Sequence, residues 1–503
     1  MDVTEILDPL NDTQRAAVSA ESRPTLVLAG AGSGKTRVLV HRFAWLVRVE
    51  GVAPQEIVAV TFTNKAAAEM RQRIEALLGI STPHLWIGTF HGLAHRFLRR
   101  HWREAELNEG FQIMDSDDQQ RLIKKLLKSL GLDNSQWTPR EVQWFINAQK
   151  DDGLRAADIA DSGNPTTRQL IDLYRRYEQL CQQSSLVDFG ELLLRTLEVM
   201  QRNADVRAMY QSRFRHLLVD EFQDTNAIQY RWLKLLTGGG GVPFVVGDDD
   251  QSIYRWRGAR VENLFQFERD FAGAAIFRLE QNYRSTANIL DAANAVIANN
   301  GTRMGKNLWT DGPRGDPIRL YGAFNDRDEA EFVINRIQDH IQAGNLRSDA
   351  AILYRSNAQS RVFEEALLAA GIPYRVYGGQ RFFERAEIKD ALAYLRLIAN
   401  RDDDPSFERV VNTPTRGIGS RTVDLVRDHG RRTGVSLWRA ATEVIAENQL
   451  AKRAASALWQ FLKLIEDLDR DTQGMALHEQ VEHVVAHRGS DHAHRENPAV
   501  GSR

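Results

Sequence analysis

The stretch Thr25-Leu26-Val27-Leu28-Ala29-Gly30-Ala31-Gly32-Ser33-Gly34-Lys35-Thr36 constrains the fold of this chain more than any other. Its apolar run reads as a buried strand and its glycines as a tight turn. Lys35-Thr36 then opens a helical pattern continued by Val38, Leu39 and Phe43. Successive backbone N–H groups in such a turn face an anion at a helix N-terminus. The spacing predicts that Gly30, Ala31, Gly32, Ser33 and Gly34 cradle nucleotide phosphates, that Lys35 reaches the β- and γ-phosphates and that Thr36 holds Mg²⁺. Ala29 stands where the phosphate-loop pattern has its first glycine.

Two further apolar runs, Ile57–Phe62 and Leu85–Phe90, leave their strands in the polar loops Thr63-Asn64-Lys65 and His91-Gly92. Strand–helix alternation of this kind predicts a parallel, doubly wound sheet whose ligand-contacting loops sit at the carboxyl strand ends. Thr63 and Asn64 there suit phosphate contacts, and Phe62 and Phe90 are placed to stack on a base. A capped helix is expected within Leu7–Val18, with Asn11 or Asp12 as its N-cap. From His91 to about Met209 helical periodicity takes over. Asp117 and Asp118 precede Lys124, Lys125 and Lys128, an order that complements a helix dipole. The run His95–Arg103 mixes bases with aromatics, which suits either a phosphate backbone or a solvated helix face.

The sheet resumes at Phe214–Val219, a run that ends in Asp220 and Glu221. Asp220 is expected to bind Mg²⁺ and Glu221 to deprotonate the attacking water, on opposite sides of the strand. The next run ends in Gly247-Asp248-Asp249-Asp250-Gln251, where Gln251 faces a γ-phosphate or water. Tyr254, Arg255, Trp256 and Arg257 follow as a stacking platform for single-stranded nucleic acid. Beyond it, Tyr283 is placed to stack on adenine and Arg284 to act as an arginine finger. Residues 317–321, 350–355 and 374–377 read as strands of a second α/β lobe, and the pattern after Gly378 is helical to Val485.

A net charge of −2 gives no global sign of a polyanionic partner, so any nucleic-acid surface must be local. The single cysteine, Cys181, excludes an internal disulfide framework and suits a reducing cytosol. No apolar run approaches the ~20 residues of a membrane span, and the acidic start lacks the basic opening of a signal peptide. His478 and His483 lie five apart, with His487, His492 and His494 further on. A zinc helix needs spacing of four, so no metal site is expected there.

Together these motifs resemble the UvrD/Rep/PcrA family of superfamily 1A DNA helicases, and within it the UvrD type, over roughly residues 1–487. The matching segments are Leu10–Gln14, Ala29–Thr36, Thr61–Met70, Gly88–Gly92, Val219–Asp224, Val246–Ala259, Gln281–Thr286, Ala351–Ser360, Gly378–Leu395 and Asn412–Gly419. An alanine at the position of Ala29 is usual in this family. The resemblance implies an α/β P-loop NTPase built of RecA-like parallel-sheet lobes with helical insertion subdomains. Residues 1–89 and 215–280 would form the ATP-binding lobe and 90–214 its helical insertion. Residues 281–377 would form an incomplete second lobe, 378–487 an incomplete helical insertion, and 488–503 an atypical tail.

The resemblance also implies roles. Gln14 would read adenine and Arg37 would contact the nucleotide. Lys35, Glu221, Gln251 and Arg284 would be catalytic, with Thr36 and Asp220 holding Mg²⁺. Phe62, Tyr254, Trp256 and Arg257 would hold single-stranded DNA with His91, Arg355 and Asn357. The implied activity is that of an ATP-dependent 3′→5′ DNA helicase or translocase of nucleotide excision and mismatch repair. Its partners would be single-stranded DNA, single–double-strand junctions and repair proteins. It would be a monomer or weak dimer, cytoplasmic and nucleoid-associated, without a membrane.

Family members run on well beyond this length through two more motifs, one carrying a second catalytic arginine, and neither occurs after Arg284. The alternative expectation is a truncated fragment, ended by a frameshift or break, that binds ATP and single-stranded DNA without coupled unwinding. A helicase–nuclease is disfavoured because no clustered acidic nuclease motif follows the motor segments.

Overall fold

The computed structural model describes residues 3–132, 137–160, 163–301, 303–377 and 386–487. The chain divides into two units, Met1–Ile318 and Arg319–Arg503. The first is built on β1 (Thr25–Ala29), β2 (Ile57–Thr61), β3 (Trp86–Thr89), the short pair β4 (Gln112–Ile113) and β5 (Leu186–Val187), then β6 (His216–Val219), β7 (Val242–Gly247) and β8 (Ala275–Leu279). Six of these form one parallel sheet in the order β3-β2-β6-β7-β1-β8. β1 lies between β7 and β8, with Leu26 opposite Val245 on one side and Ile276 on the other.

β1, β2 and β6 are buried along their full lengths, as near-continuous apolar runs should be when helices cover both faces. The two-residue period sorts their side chains. Leu26, Leu28, Val58 and Val60 enter one core with Phe97, Leu193 and Leu233. Val27, Ala29, Ile57 and Ala59 enter the other with Val38, Phe43 and Met70. The strands of the large sheet coincide with apolar runs of the sequence, and their parallel order brings all carboxyl ends to one edge.

The helices that follow start where their caps place them. Asn11 caps Asp12–Val18 through a reciprocal box with Gln14. Thr63 caps Asn64–Leu78 and Thr89 caps Phe90–Arg100. Residues 90–213 are largely helical as expected, and among the described residues the β4–β5 pair supplies their only strands. Asp115 caps Ser116–Ser129, with Asp117 and Asp118 in its first turn and Lys128 in its last.

Two expectations on this unit need correction. Arg96 and Arg99 lie on the exposed helix face, but their guanidinium groups are already engaged by the protein. Arg96 donates to the Leu85 and His84 carbonyls, Arg99 to those of Glu109 and Phe111, and each guanidinium lies over an aromatic ring, Trp86 or Phe111. Both residues stay exposed, with loop carbonyls and ring faces taking up part of their hydrogen-bonding capacity. Phe90 is buried with its ring 5.8 Å from Trp232, so it packs the core, while Phe62 is only half-buried.

In the second unit, helices Asp326–Gln342 and Ser360–Ala369 precede a helical group from Ala386 to His487. That group closes its own core around Tyr394, Leu397, Phe407, Val426, Phe461 and Ile465. The strands expected at 317–321, 350–355 and 374–377 are not formed: these residues carry no ladder among those described. Their apolar side chains stand in the open, with Leu320 fully exposed and Leu353 nearly so. Apolar content alone makes no strand, since the ladder requires a neighbour to receive its N–H and C=O groups. Residues 378–385, within the segment matched to Gly378–Leu395, and the tail from 488 lie outside the described residues.

Candidate nucleotide and nucleic-acid site

The chemistry-bearing loops converge where the β1, β6, β7 and β8 strands end. After Ala29 the chain turns through residues 30–34 into helix Lys35–Arg48. Gly32 and Gly34 sit at φ 68° and 89°, in the left-handed region that side chains avoid. Ser33 is buried and returns its hydroxyl to the Gly30 carbonyl at 2.7 Å, which closes the turn on itself. The helix begins with Lys35 and Thr36, so its unpaired N–H groups and positive dipole end open on the turn.

Thr36 Oγ1 donates to Asp220 Oδ2 at 3.4 Å, which joins the first helix turn to the end of β6. Asp220 is 5% exposed, and burial followed by the neighbouring Glu221 carboxylate pushes it up to about 7, with Lys35 opposing. A buried carboxylate without a full countercharge, paired with a hydroxyl, is a donor set that suits a hard divalent cation. Asp224, raised to about 7 by burial and Glu221, leaves its buried Oδ1 without a partner among the described residues.

The expectation that Asp220 and Glu221 diverge by strand alternation is replaced by a sharper turn. β6 ends at Val219, and Glu221 adopts φ 50°, a left-handed conformation in a non-glycine residue. Asp220 thus stays buried while Glu221 opens toward Lys35, whose Nζ lies 3.5 Å from Glu221 Oε2 and 3.9 Å from Asp248 Oδ2. Gln223 fastens this arrangement, donating to Glu221 Oε2 at 2.8 Å while its own Oε1 accepts from the Asp248 N–H at 2.9 Å. Gln251 Nε2 donates to Asp248 Oδ2.

Asp248, Asp249 and Asp250 bring three carboxylates within ligand distance of one another, a convergence to which the sequence expectations assign no role. Lys306 Nζ already lies among them, so this cluster asks for no metal. Burial works against the Lys306 charge, but the facing carboxylates prevail and hold it above the ordinary lysine range.

The loop after β8 stands on the glycine turn. Asn282 donates to the Ala31 carbonyl at 2.6 Å and accepts from the Arg284 and Ser285 N–H groups, while the Tyr283 N–H donates to the Gly32 carbonyl at 3.0 Å. Tyr283 and Arg284 are exposed beside the turn. The Tyr283 hydroxyl accepts from Asn11 Nδ2 at 2.6 Å and donates to Gln281. Gln14 is buried and donates to the Ser33 carbonyl at 2.7 Å, whereas Arg37 is exposed and reaches only the Pro9 carbonyl at 3.4 Å. Sequence pattern alone does not mark Asn282, Gln223 or Lys306 as parts of this site. Asn282 sits inside a motif whose signal is carried by its Tyr and Arg, and Lys306 lies in a stretch without periodicity.

Next to the nucleotide loops, Phe62, Tyr254 and Trp256 form a tier, with ring centroids 4.8 Å apart for the first pair and 6.4 Å for the second. Trp256 is 68% exposed. Thr63 uses its hydroxyl to cap the following helix at Ala66, and Asn64 is exposed on the first turn. His91 meets Phe189 edge-on at 5.7 Å, and burial pulls its imidazole down to about 4, so it is neutral at neutral pH. The Arg257 side chain lies outside the described residues. Arg355 and Asn357 belong to the second unit, both exposed at the turn before Ser360–Ala369. His483 and His487 stack at 4.2 Å, and among the described residues no histidine cluster with metal-ligand geometry forms; His492 and His494 fall outside them.

The UvrD/REP helicase N-terminal domain matches residues 10–272, and the UvrD-like helicase C-terminal domain matches residues 277–495. The DNA helicase II of Escherichia coli K12 is 59% identical over 489 residues, which cover 97% of this chain and 68% of that protein. The DNA helicase II of Haemophilus influenzae is 55% identical over 493 residues, covering 97% and 68%. The ATP-dependent DNA helicase PcrA of Bacillus subtilis is 42% identical over 483 residues, covering 96% and 65%. No described helix is long and apolar enough to cross a membrane. With both domains matched in order and this identity sustained along its length, the chain belongs to the UvrD/REP helicase family.

Proposed function

We propose that this chain is an ATP-driven 3′→5′ DNA helicase or translocase that moves on single-stranded DNA in excision and mismatch repair. The observation that carries the reading is a shared loop. Gln251, hung on Asp248 beside Lys35, lies five residues before Trp256, the outer ring of the aromatic tier. A change at the phosphate end of the nucleotide is therefore one short turn from a base-stacking surface.

In this reading the glycine turn, Lys35 and Thr36 bind the phosphates of ATP, and Gln14, Arg37 and Tyr283 border the base. Thr36 and Asp220 hold Mg²⁺, which supplies charge neutralisation on the phosphates. Glu221 takes the proton of the attacking water, its carboxylate aimed by the Gln223 amide. Gln251 meets the γ-phosphate, and Arg284, seated on the glycine turn through Asn282, offers its guanidinium to the charge that develops. Phe62, Tyr254, Trp256 and Arg257 grip bases with Thr63, Asn64 and His91, while Arg355 and Asn357 act from the second unit. The lobe division stated from the sequence is proposed with it, as are junction binding, repair partners and a nucleoid location. Polarity and repair role rest on the family resemblance.

The reading of a chain that binds both ligands without coupling them is supported by the unladdered segments 317–321, 350–355 and 374–377. One experiment decides between them: ATP hydrolysis by the 1–503 chain with and without single-stranded DNA, beside Lys35→Ala. DNA-stimulated turnover that is lost in Lys35→Ala supports the motor. Binding of both ligands without turnover supports the uncoupled chain.

A further inference from the structure

The segment 303–309 contains no helix or strand, yet it touches the nucleotide site on three sides. Lys306 is 7% exposed, with Nζ 2.6 Å from Asp248 Oδ1, 2.5 Å from Asp249 Oδ1 and 2.9 Å from Asp250 Oδ2. Arg303 holds Asp250 through two bonds of 2.7 Å, and the Met304 N–H donates to Asp249 Oδ2 at 2.7 Å. Two residues after Lys306, Leu308 lies so close over Gly30 that a β-carbon there would collide with its Cδ2. The Trp309 carbonyl then receives the Asn282 N–H at 2.7 Å, below the residue that seats Arg284.

Asp248 is the member of this cluster that reaches the chemistry. Its Oδ1 takes Lys306 at 2.6 Å and the Asp250 N–H at 3.1 Å, and its Oδ2 accepts from Gln251 Nε2 and lies 3.9 Å from Lys35 Nζ. Without the cation, Oδ1 would keep only the longer bond from the Asp250 N–H, which leaves the carboxylate room to turn about its side-chain torsions. Held on one side by a buried cation, it presents the other oxygen in a single place.

We propose that Lys306 is a positioning residue for γ-phosphate recognition: by clamping Asp248 through Oδ1 it fixes the carboxylate oxygen on which Gln251 is hung. The inference rests on the reading of the glycine turn as an ATP site. A purely structural lysine would affect every nucleotide alike. A lysine that acts through Gln251 affects only a ligand that carries a γ-phosphate.

The test measures Kd of the full 1–503 chain for a fluorescent ADP and a fluorescent non-hydrolysable ATP analogue, with Mg²⁺. Lys306→Met is compared with wild type, each in the native and the Gln251→Ala background. The expected result is a loss of about five- to tenfold in analogue affinity, the span of a displaced charge-assisted hydrogen bond, with ADP affinity unchanged. In the Gln251→Ala background Lys306→Met should add nothing, and Lys306→Arg should restore part of the loss in the native one. If Lys306→Met does not fold, Lys306→Met with Asp249→Asn, which removes with the cation a carboxylate it neutralises while Asp250 keeps Arg303, carries the same comparison. An equal loss for both nucleotides, or a full loss that persists without Gln251, overturns the inference. A wild-type chain that binds neither nucleotide overturns the ATP-site reading itself.

Discussion

Gln14 Nε2 donates to the Ser33 carbonyl at 2.7 Å, while Gln14 Oε1 accepts from the Asn11 N–H at 3.1 Å. One buried amide thereby ties the N-terminal helix cap to the phosphate turn, across nineteen positions of sequence. An adenine-reading role for Gln14 must therefore be reached by exchanging one of these bonds for the base. Gln14→Ala removes both and leaves the Ser33 carbonyl without its donor. The expected cost is about 1–3 kcal/mol of stability, read as a lower thermal midpoint, together with weaker nucleotide binding. Unchanged stability would show that the amide is not held as described.

Gly32 sits at φ 68°, and a β-carbon there would lie 2.5 Å from Asn282 Nδ2 and 2.9 Å from Arg284 Cβ. Gly32→Ala thus combines backbone strain of roughly 1–3 kcal/mol with displacement of the residues that seat Arg284. Nucleotide affinity should fall at least tenfold by fluorescence titration. Gly51→Ala is the control, since Gly51 has φ 69° but nothing within 4 Å of the added carbon. It should share the strain and leave affinity unchanged.

Trp256 is mostly exposed, so Trp256→Ala should leave the thermal midpoint near wild type. Loss of a stacked base is worth ~1–3 kcal/mol, so Kd for a thymidine oligonucleotide should rise at least fivefold by fluorescence anisotropy. Phe90→Ala, which removes a core ring packed on Trp232, should do the reverse: a large loss of stability, with DNA affinity of the folded fraction unchanged.

Local signals account for what was legible. β1, β2 and β6 are apolar runs that end in loops, and the cap at Asn11 follows from a side chain three residues from its target; the caps of the same spacing at Thr63 and Asp115 went unread. Relationships across sequence were silent. Nothing near Lys306 announces that Asp248 lies against it, and the left-handed turn of Glu221 belongs to a residue type that rarely adopts it. The segments 317–321, 350–355 and 374–377 failed for the complementary reason. Their composition favours strands, but a strand exists only with a neighbour in register, and composition does not name one.

Three carboxyls of the first unit, Asp151, Asp220 and Asp224, are each pushed up to about 7, chiefly by burial. A carboxyl raised in the folded state binds its proton more tightly there than in the unfolded chain. Stability that it contributes is present at low pH and is lost as pH rises from about 4 to about 7. Asp151 isolates the effect, because it lies outside the expected Mg²⁺ ligands. Asp152 and Asp188 raise it further, while Asn226 Nδ2, at 2.8 Å from its Oδ1, opposes them. It also backs the platform loop, since a β-carbon on Gly258 would lie 3.3 Å from its Oδ2. Asp151→Asn keeps an acceptor for Asn226 and removes the titration. Without Mg²⁺, the variant should lose less stability than wild type across that window, by at most about 1.4 kcal/mol per pH unit. Residual slope from Asp220 and Asp224 should remain. Urea midpoints on both sides of the window check this, and an identical slope in variant and wild type would show that Asp151 titrates at its ordinary value.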